Sequence, residues 1–276
     1  MTDKSTPFKN IVSHAILIVA AIVLMFPFVW MLSGSFKDSL EVVRMPPSLI
    51  PDTFRFDNYV EITKYFPIYR FLGNSMIVAV ITTIAQVIVC AMAAFVFAKI
   101  SFKGREALFV LYLVTMMIPM QVTMTPLFIV FQKLNLINTY PGLILPGIFS
   151  AYGTFLLRQH IMTIPDPLIE AARMDGASYG RVFSSIILPL SKPSLATLSI
   201  FAFMASWNNF LWPLIVTSDK ELMTLPIGLS KLQGRWATEW NILMAGNVIS
   251  FIPIFIVFLF ASRYFIKGMT MSGVKG

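Results

Sequence analysis

The sequence predicts an all-α integral membrane protein with six transmembrane helices. Three observations carry this. Of the 276 residues, 57% are hydrophobic and only 12% are charged, against about 25% charged residues in a soluble domain. The charges that exist, with a net balance of +8, are excluded from six long stretches. Each stretch reaches or approaches the roughly 20 helical residues that cross a hydrocarbon core of about 30 Å. Lipid offers the backbone no hydrogen bonds, so apolar stretches of this length must be helices.

The stretches run Ile11–Leu32, Phe71–Ala98, Ala107–Phe131, Pro141–Leu157, Pro193–Thr217 and Trp240–Ser262. The first is too long and too weakly flanked for a cleaved signal peptide and reads as a retained span. Lysine and arginine are somewhat richer on the side that holds both termini, which places the termini in the cytoplasm. The organisation expected is a tail, first span and long outer loop over 1–70, a membrane core over 71–262, and a cytoplasmic tail over 263–276. Within the outer loop, Pro46, Pro47, Pro51 and Pro67 argue for irregular chain with one short helix near Asn58–Tyr65. A second outer loop, Ser218–Glu239, carries Gly228, Gly234 and Trp236. The single cysteine, Cys90, lies in an apolar run and reads as a packed thiol.

The loop over 158–192, Arg158–Lys192, is too long for a simple turn and has a helical pattern. Asp166 is suited to cap a helix with Pro167 in its first turn. Leu168, Ile169, Ala171, Ala172 and Met174 then cover more than one face, and Gly176 is suited to a left-handed stop. Ser178 is suited to cap a second helix through Val182, Phe183, Ile186 and Ile187. The residues alone leave two readings open: a hairpin lying on the membrane, or a docking element for a soluble partner.

Within this loop Glu170-Ala171-Ala172, then Gly176 after three residues, then Ile186 and Leu188-Pro189 after nine more, match the EAA motif in every position. In this the chain resembles the permease subunits of type I ATP-binding-cassette importers. Asp175-Gly176-Ala177, the run Leu188–Pro193, Ser206–Leu214 and the tail Gly268–Gly276 are similar to the smaller permease of the carbohydrate-uptake branch. The resemblance implies the type I importer permease fold and half of a translocation pathway worked by alternating access. It implies three partners besides membrane lipid: a homologous second permease, an ATPase dimer, and an extracellular solute-binding protein. It implies that Glu170, Ala171, Ala172, Met174, Asp175 and Gly176 meet the ATPase. It also implies that Gly273, Val274, Lys275 and Gly276 lie at the ATPase interface, although by composition the tail reads as a frayed end. Gly228, Gly234 and Trp236 are then expected in a loop that reaches the binding protein.

No phosphate-binding loop of the form G-x-x-x-x-G-K-[ST] occurs, so ATP hydrolysis is expected in a partner. The two histidines, His14 and His160, stand far apart, and no catalytic, metal or cofactor site is expected, nor a nucleic-acid partner. Several uncharged polar residues fall inside the spans. Gln121, Tyr152, Trp207, Asn208 and Asn209 are candidates for a wet path that bonds sugar hydroxyls, while in-span amides also serve as interhelical glue. Trp207 and Trp212 fit either a stacking face for a sugar or an interface anchor. The cargo expected is a sugar or oligosaccharide. Glycerol phosphate is the alternative within the class, opposed by the lack of Arg or Lys in the spans. A proton-coupled transporter is opposed by the lack of any Asp, Glu, Lys or Arg there, and a membrane enzyme by the lack of a cluster of acids, bases or metal ligands.

Overall fold

The structure is a computed structural model and describes residues 7–233 and 239–273. Among these residues every regular element is helical. Three helices are unbroken, apolar and long enough to cross a bilayer: Ile11–Gly34, Ile68–Lys99 and Trp240–Phe260. Three further crossings are bent pairs, so the expected six is reached when each pair crosses once.

The chain divides into two compact units. The first comprises Met1–Ile68 and Leu229–Ile252. It contains α1 (Pro7–Gly34), α2 (Ser39–Val42), α3 (Asn58–Tyr65) and the start of the last helix. Helix α3 falls where the loop sequence places it. It is pinned by Asn58, whose Nδ2 donates to the Ser35 and Lys37 carbonyls at 2.9 Å each. The Asn58 Oδ1 accepts from Asn241 Nδ2 at 3.0 Å. Asn58 is fully buried, so this network satisfies backbone groups that an irregular loop would otherwise leave orphaned. Phe36 closes the same segment against Phe54, Phe56 and Tyr59.

The second unit comprises Tyr69–Gly228 and Pro253–Gly276. Its long element is α4 (Ile68–Lys99). The next crossing breaks between α5 (Arg105–Val114), extended by a 3-10 turn to Met117, and α6 (Met120–Lys133), with a bend of 98°. The cause is local. Pro119 disfavours the helical region for the residue before it, and Ile118 is extended at φ −86°, ψ 115°. The following crossing joins α7 (Tyr140–Ile144), through a 3-10 turn over Leu145–Gly147, to α8 (Ala151–Met162) with a bend of 46°. Thr139 and Ser150 cap these helices by accepting from the Gly142 and Gly153 amides at 3.0 Å.

Helices α9 (Asp166–Met174) and α10 (Tyr179–Val182) follow. A π-helical segment over Phe183–Ile187 and α11 (Leu188–Leu190) lead into α12 (Lys192–Trp207), with an 80° bend. After α13 (Leu211–Val216), α14 (Leu225–Ser230) precedes α15 (Trp240–Gly273).

Four expectations are corrected. The loop begins after Met162, because α8 continues past Arg158. The fifth stretch is two helices broken at 208–210. Gly228 lies buried inside α14, its N–H bonded to the Thr224 carbonyl at 3.0 Å, because Leu225, Ile227 and Leu229 make that segment an apolar helix. The last helix runs on through Gly273, so most of the expected tail at 263–276 is helical; Val274, Lys275 and Gly276, with Gly234 and Trp236, lie outside the described residues.

Candidate coupling surface and membrane cleft

Helix α9 is held from beneath and open above. Ile169 is buried in a cluster with Phe95, Leu157, Ile161, Ile164, Val182 and Ile187, and Ala172 packs against it. Glu170, Ala171, Met174, Asp175 and Gly176 are exposed. Met174 is 83% exposed and Leu168 48%. Five of the six expected coupling residues therefore face outward. Ala172 turns inward, and its small side chain lets α9 approach its own chain closely.

The end of α9 is locked. Gly176 takes the left-handed conformation at φ +83°. Its N–H bonds the Arg173 carbonyl at 3.1 Å, and the Ala177 N–H bonds the Ala172 carbonyl at 2.9 Å. This is the paired pattern of a Schellman stop. Arg173 closes the turn, donating to the Ala177 carbonyl at 2.9 Å with its guanidinium 4.3 Å from the Tyr179 ring centre. Ser178 caps α10 by accepting from the Arg181 amide at 3.3 Å.

The start of α9 departs from expectation. Asp166 makes no cap bond, and the helix begins at Asp166 behind Pro165. Its carboxylate instead accepts from Lys99 Nζ at 2.6 Å, and the same ammonium donates to the Ile164 carbonyl at 2.5 Å. On α8, Arg158 donates to both oxygens of Glu106 at 2.8 and 2.9 Å and to the Phe97 carbonyl at 3.1 Å. Its guanidinium lies 4.1 Å from the Phe109 ring centre. Lys99 and Arg158 are both nearly buried, at 5% and 8% side-chain exposure. They tie α9 and α8 to the ends of α4 and α5. Sequence reasoning missed both ties; the signal was a lone Lys or Arg at the end of an apolar stretch.

A cleft of about 330 Å³ opens in the same unit. Three helix interruptions border it: the start of α6 at Met120, the segment from Pro146 to Ser150, and Asn209 between α12 and α13. Thr82 and Gln86, near the middle of α4, line the facing wall. Of the five pathway candidates only Asn209 lines it. Gln121 is exposed elsewhere, Tyr152 meets Phe201 edge-on at 6.4 Å, and the exposed Asn208 donates to the Met204 carbonyl at 2.9 Å. Trp207 is buried and stacks on Phe203 at 5.7 Å. Trp212 is buried edge-on to Phe131, with its Nε1 donating to the Gly142 carbonyl at 2.9 Å. Both indoles are buried by packing, and of the two only Trp212 borders the cleft. Asn74 is interhelical glue: its Nδ2 donates to the Glu221 and Met223 carbonyls and its Oδ1 accepts from Tyr140.

Residues 86–271 match the family model described as the binding-protein-dependent transport system inner membrane component. The chain belongs to that family. It is a multi-pass membrane permease, a transporter subunit and not itself an enzyme. The permease is 41% identical over 255 residues to the arabinooligosaccharides transport system permease protein AraQ of Bacillus subtilis, covering 91% of each chain. It is 39% identical to the AraQ of Halalkalibacterium halodurans, covering 93% of each. To the sn-glycerol-3-phosphate transport system permease protein UgpE of Brucella abortus it is 36% identical, covering 95% of this chain and 96% of that one. The fold is shared with a chain of a bacterial ABC transporter involved in the import of the acidic polysaccharide alginate. The TM-score there is 0.83 at 23% identity, over 96% of this permease and 99% of that chain.

Proposed function

We propose that this permease is one half of an ATP-driven importer of a sugar or oligosaccharide. A homologous second permease completes the membrane pathway, two ATP-binding-cassette ATPases drive it, and an extracellular solute-binding protein delivers the cargo. The observation that carries the reading is the outward face of α9. It offers Glu170, Ala171 and Met174 on a helix with a locked end and a buried base. An exposed methionine is an adaptable apolar contact that a groove on a partner takes up. The likeness to the two AraQ permeases favours an oligosaccharide cargo.

With both termini cytoplasmic, four crossings precede α9 and return it to the cytoplasmic side, where ATP is available. ATP-driven closure of the ATPase dimer draws the two coupling elements together. Because Lys99 ties α9 to the end of α4, and Arg158 ties the preceding α8 to the start of α5, the pull reaches the membrane helices without being absorbed in a loose loop. The helices rock, and the cavity changes the side to which it opens. The segment from Gly234 to Trp236 meets the binding protein, and Gly273–Gly276 meets the ATPase interface.

The second reading, sn-glycerol 3-phosphate as cargo, draws on the 36% identity to UgpE. Co-purification of the assembled complex with its binding protein, followed by uptake of arabinotriose and sn-glycerol 3-phosphate into proteoliposomes, separates the two. Uptake of the trisaccharide supports the first reading. Uptake of the phosphate alone overturns it. Failure of the permease to co-purify with any ATPase subunit overturns the coupling reading.

A further inference from the structure

The cleft of about 330 Å³ in the second unit combines three features. Helix interruptions border it at Met120, at Pro146–Ser150 and at Asn209. At membrane depth, irregular backbone is tolerated only where protein buries it or where it lines a cavity, and broken spans mark binding sites in transporters. Second, Thr82 is only 3% exposed, lines the cleft, and its Oγ1 has no hydrogen-bond partner. A buried hydroxyl without a partner is costly, and a turn of the Thr82 side chain toward the cleft would let a guest supply the missing bond. Third, no lining residue is charged, while Gln86, Ser206 and Asn209 offer neutral donors and acceptors. Phe149, which is 69% exposed, offers an aromatic face.

We propose that this cleft directly holds a sugar ring of a neutral, hydroxyl-rich solute during passage. Thr82, Gln86, Ser206 and Asn209 exchange hydrogen bonds with its hydroxyls, and Phe149 is its stacking surface. This rests on the import reading above and adds that this subunit itself contacts the cargo. Neutral amides and hydroxyls match sugar hydroxyls donor for acceptor. The negative face of an aromatic ring attracts the weakly positive C–H groups of a sugar face. A phosphate ester in this cleft would lose its hydration without meeting an Arg or Lys. The first turn of α6 supplies only about half a positive charge, which suits a hydroxyl oxygen and falls short of a phosphate.

The test uses the full transporter, assembled with its partners in proteoliposomes, and three neutral trisaccharides as probes: arabinotriose, xylotriose and maltotriose. At limiting concentration of the trisaccharide that is moved fastest, uptake should fall about ten-fold in Thr82→Val, Asn209→Leu and Phe149→Ala. Asn209→Gln should restore part of it. Thr82→Val keeps the side-chain shape and removes an unpaired hydroxyl, so its thermal midpoint should hold or rise while uptake falls. A threonine with no part in binding would leave uptake unchanged. Trisaccharide uptake unchanged in all three variants overturns the cleft as a contact site and leaves the import reading standing. An assembled, ATP-hydrolysing complex that moves none of the three trisaccharides overturns both.

Discussion

The Lys99 ammonium lies 2.6 Å from the Asp166 carboxylate, joining the last residue of α4 to the first residue of α9. The two partners are unequal: Lys99 is 5% exposed and Asp166 71%. Water screens the carboxylate side, which keeps the ion pair itself modest. The ammonium is the buried member, and its second bond, to the Ile164 carbonyl, satisfies a group at the turn between α8 and α9. Position, more than attraction, is what this contact supplies.

Lys99→Met should therefore loosen α9 without unfolding the membrane helices. Sugar uptake per ATP hydrolysed should fall several-fold, because α9 loses its fixed position against α4. Lys99→Arg should recover much of it. Parallel measurement of uptake and ATP turnover in proteoliposomes decides; an unchanged ratio in Lys99→Met would remove the tether from the mechanism.

Gly176 separates backbone from partner effects. A Cβ added there meets nothing within 4 Å of its own chain, so any cost inside the permease comes from the left-handed backbone alone. That cost is about 1–2 kcal/mol for an ordinary residue and less for asparagine. Gly176→Asn should keep binding-protein-stimulated ATPase activity close to normal, and Gly176→Leu should abolish most of it through the added bulk at the contact. Equal activity in the two variants would mean that no partner approaches this turn.

Arg158 tests buried charge. Arg158→Met leaves the Phe97 carbonyl without its side-chain donor and Glu106 with Arg105 alone, while Glu106→Gln keeps one acceptor for the arginine. The first should cost about 3 kcal/mol, through the orphaned Phe97 carbonyl and the lost contact with the Phe109 ring, and the second less because a neutral amide oxygen still accepts from the guanidinium. Thermal unfolding of the purified complex in detergent ranks them, and a larger loss from Glu106→Gln would contradict this geometry.

The loop and the tail are probed by deletion. Removing Lys231–Arg235 should lower uptake at limiting sugar if the segment reaches the binding protein, and leave it untouched if the segment only packs. Removing Met271–Gly276 should permit membrane insertion and reduce the sugar-stimulated ATPase rate. A truncated complex that assembles and turns over like the full chain would show that these residues do nothing at the interface.

Much of this architecture was legible because lipid is a severe solvent. Charge-free stretches locate the crossings, and turn chemistry locates the Gly176 stop, the Ser178 cap and α3. The rest depends on contacts across the chain. Lys99 and Asp166 are 67 positions apart, and Arg158 and Glu106 are 52 apart, so no local pattern pairs them. Trp207 and Trp212 carry the composition of a binding or interface residue, and only packing against Phe203 and Phe131 turns them inward. Pro119 is the local cause of the bend at Ile118, whereas Gly228, expected in an outer loop, lies in a helix because the buried Leu225 and Ile227 make its segment apolar.

The π-helical segment over Phe183–Ile187 has its own consequence. The Leu188 N–H reaches back five residues to Phe183, next to Pro189, which has no N–H to offer. A π turn amounts to one surplus residue in an α-helix. Deleting a single residue from this segment would restore ordinary winding and swing everything upstream by about 100° about the helix axis. The hairpin of α9 and α10 would then present a different compass bearing to whatever lies below it. Chain length at this one place thus works as an angular setting, and a transplant of the loop between permeases must match its residue count as well as its motif.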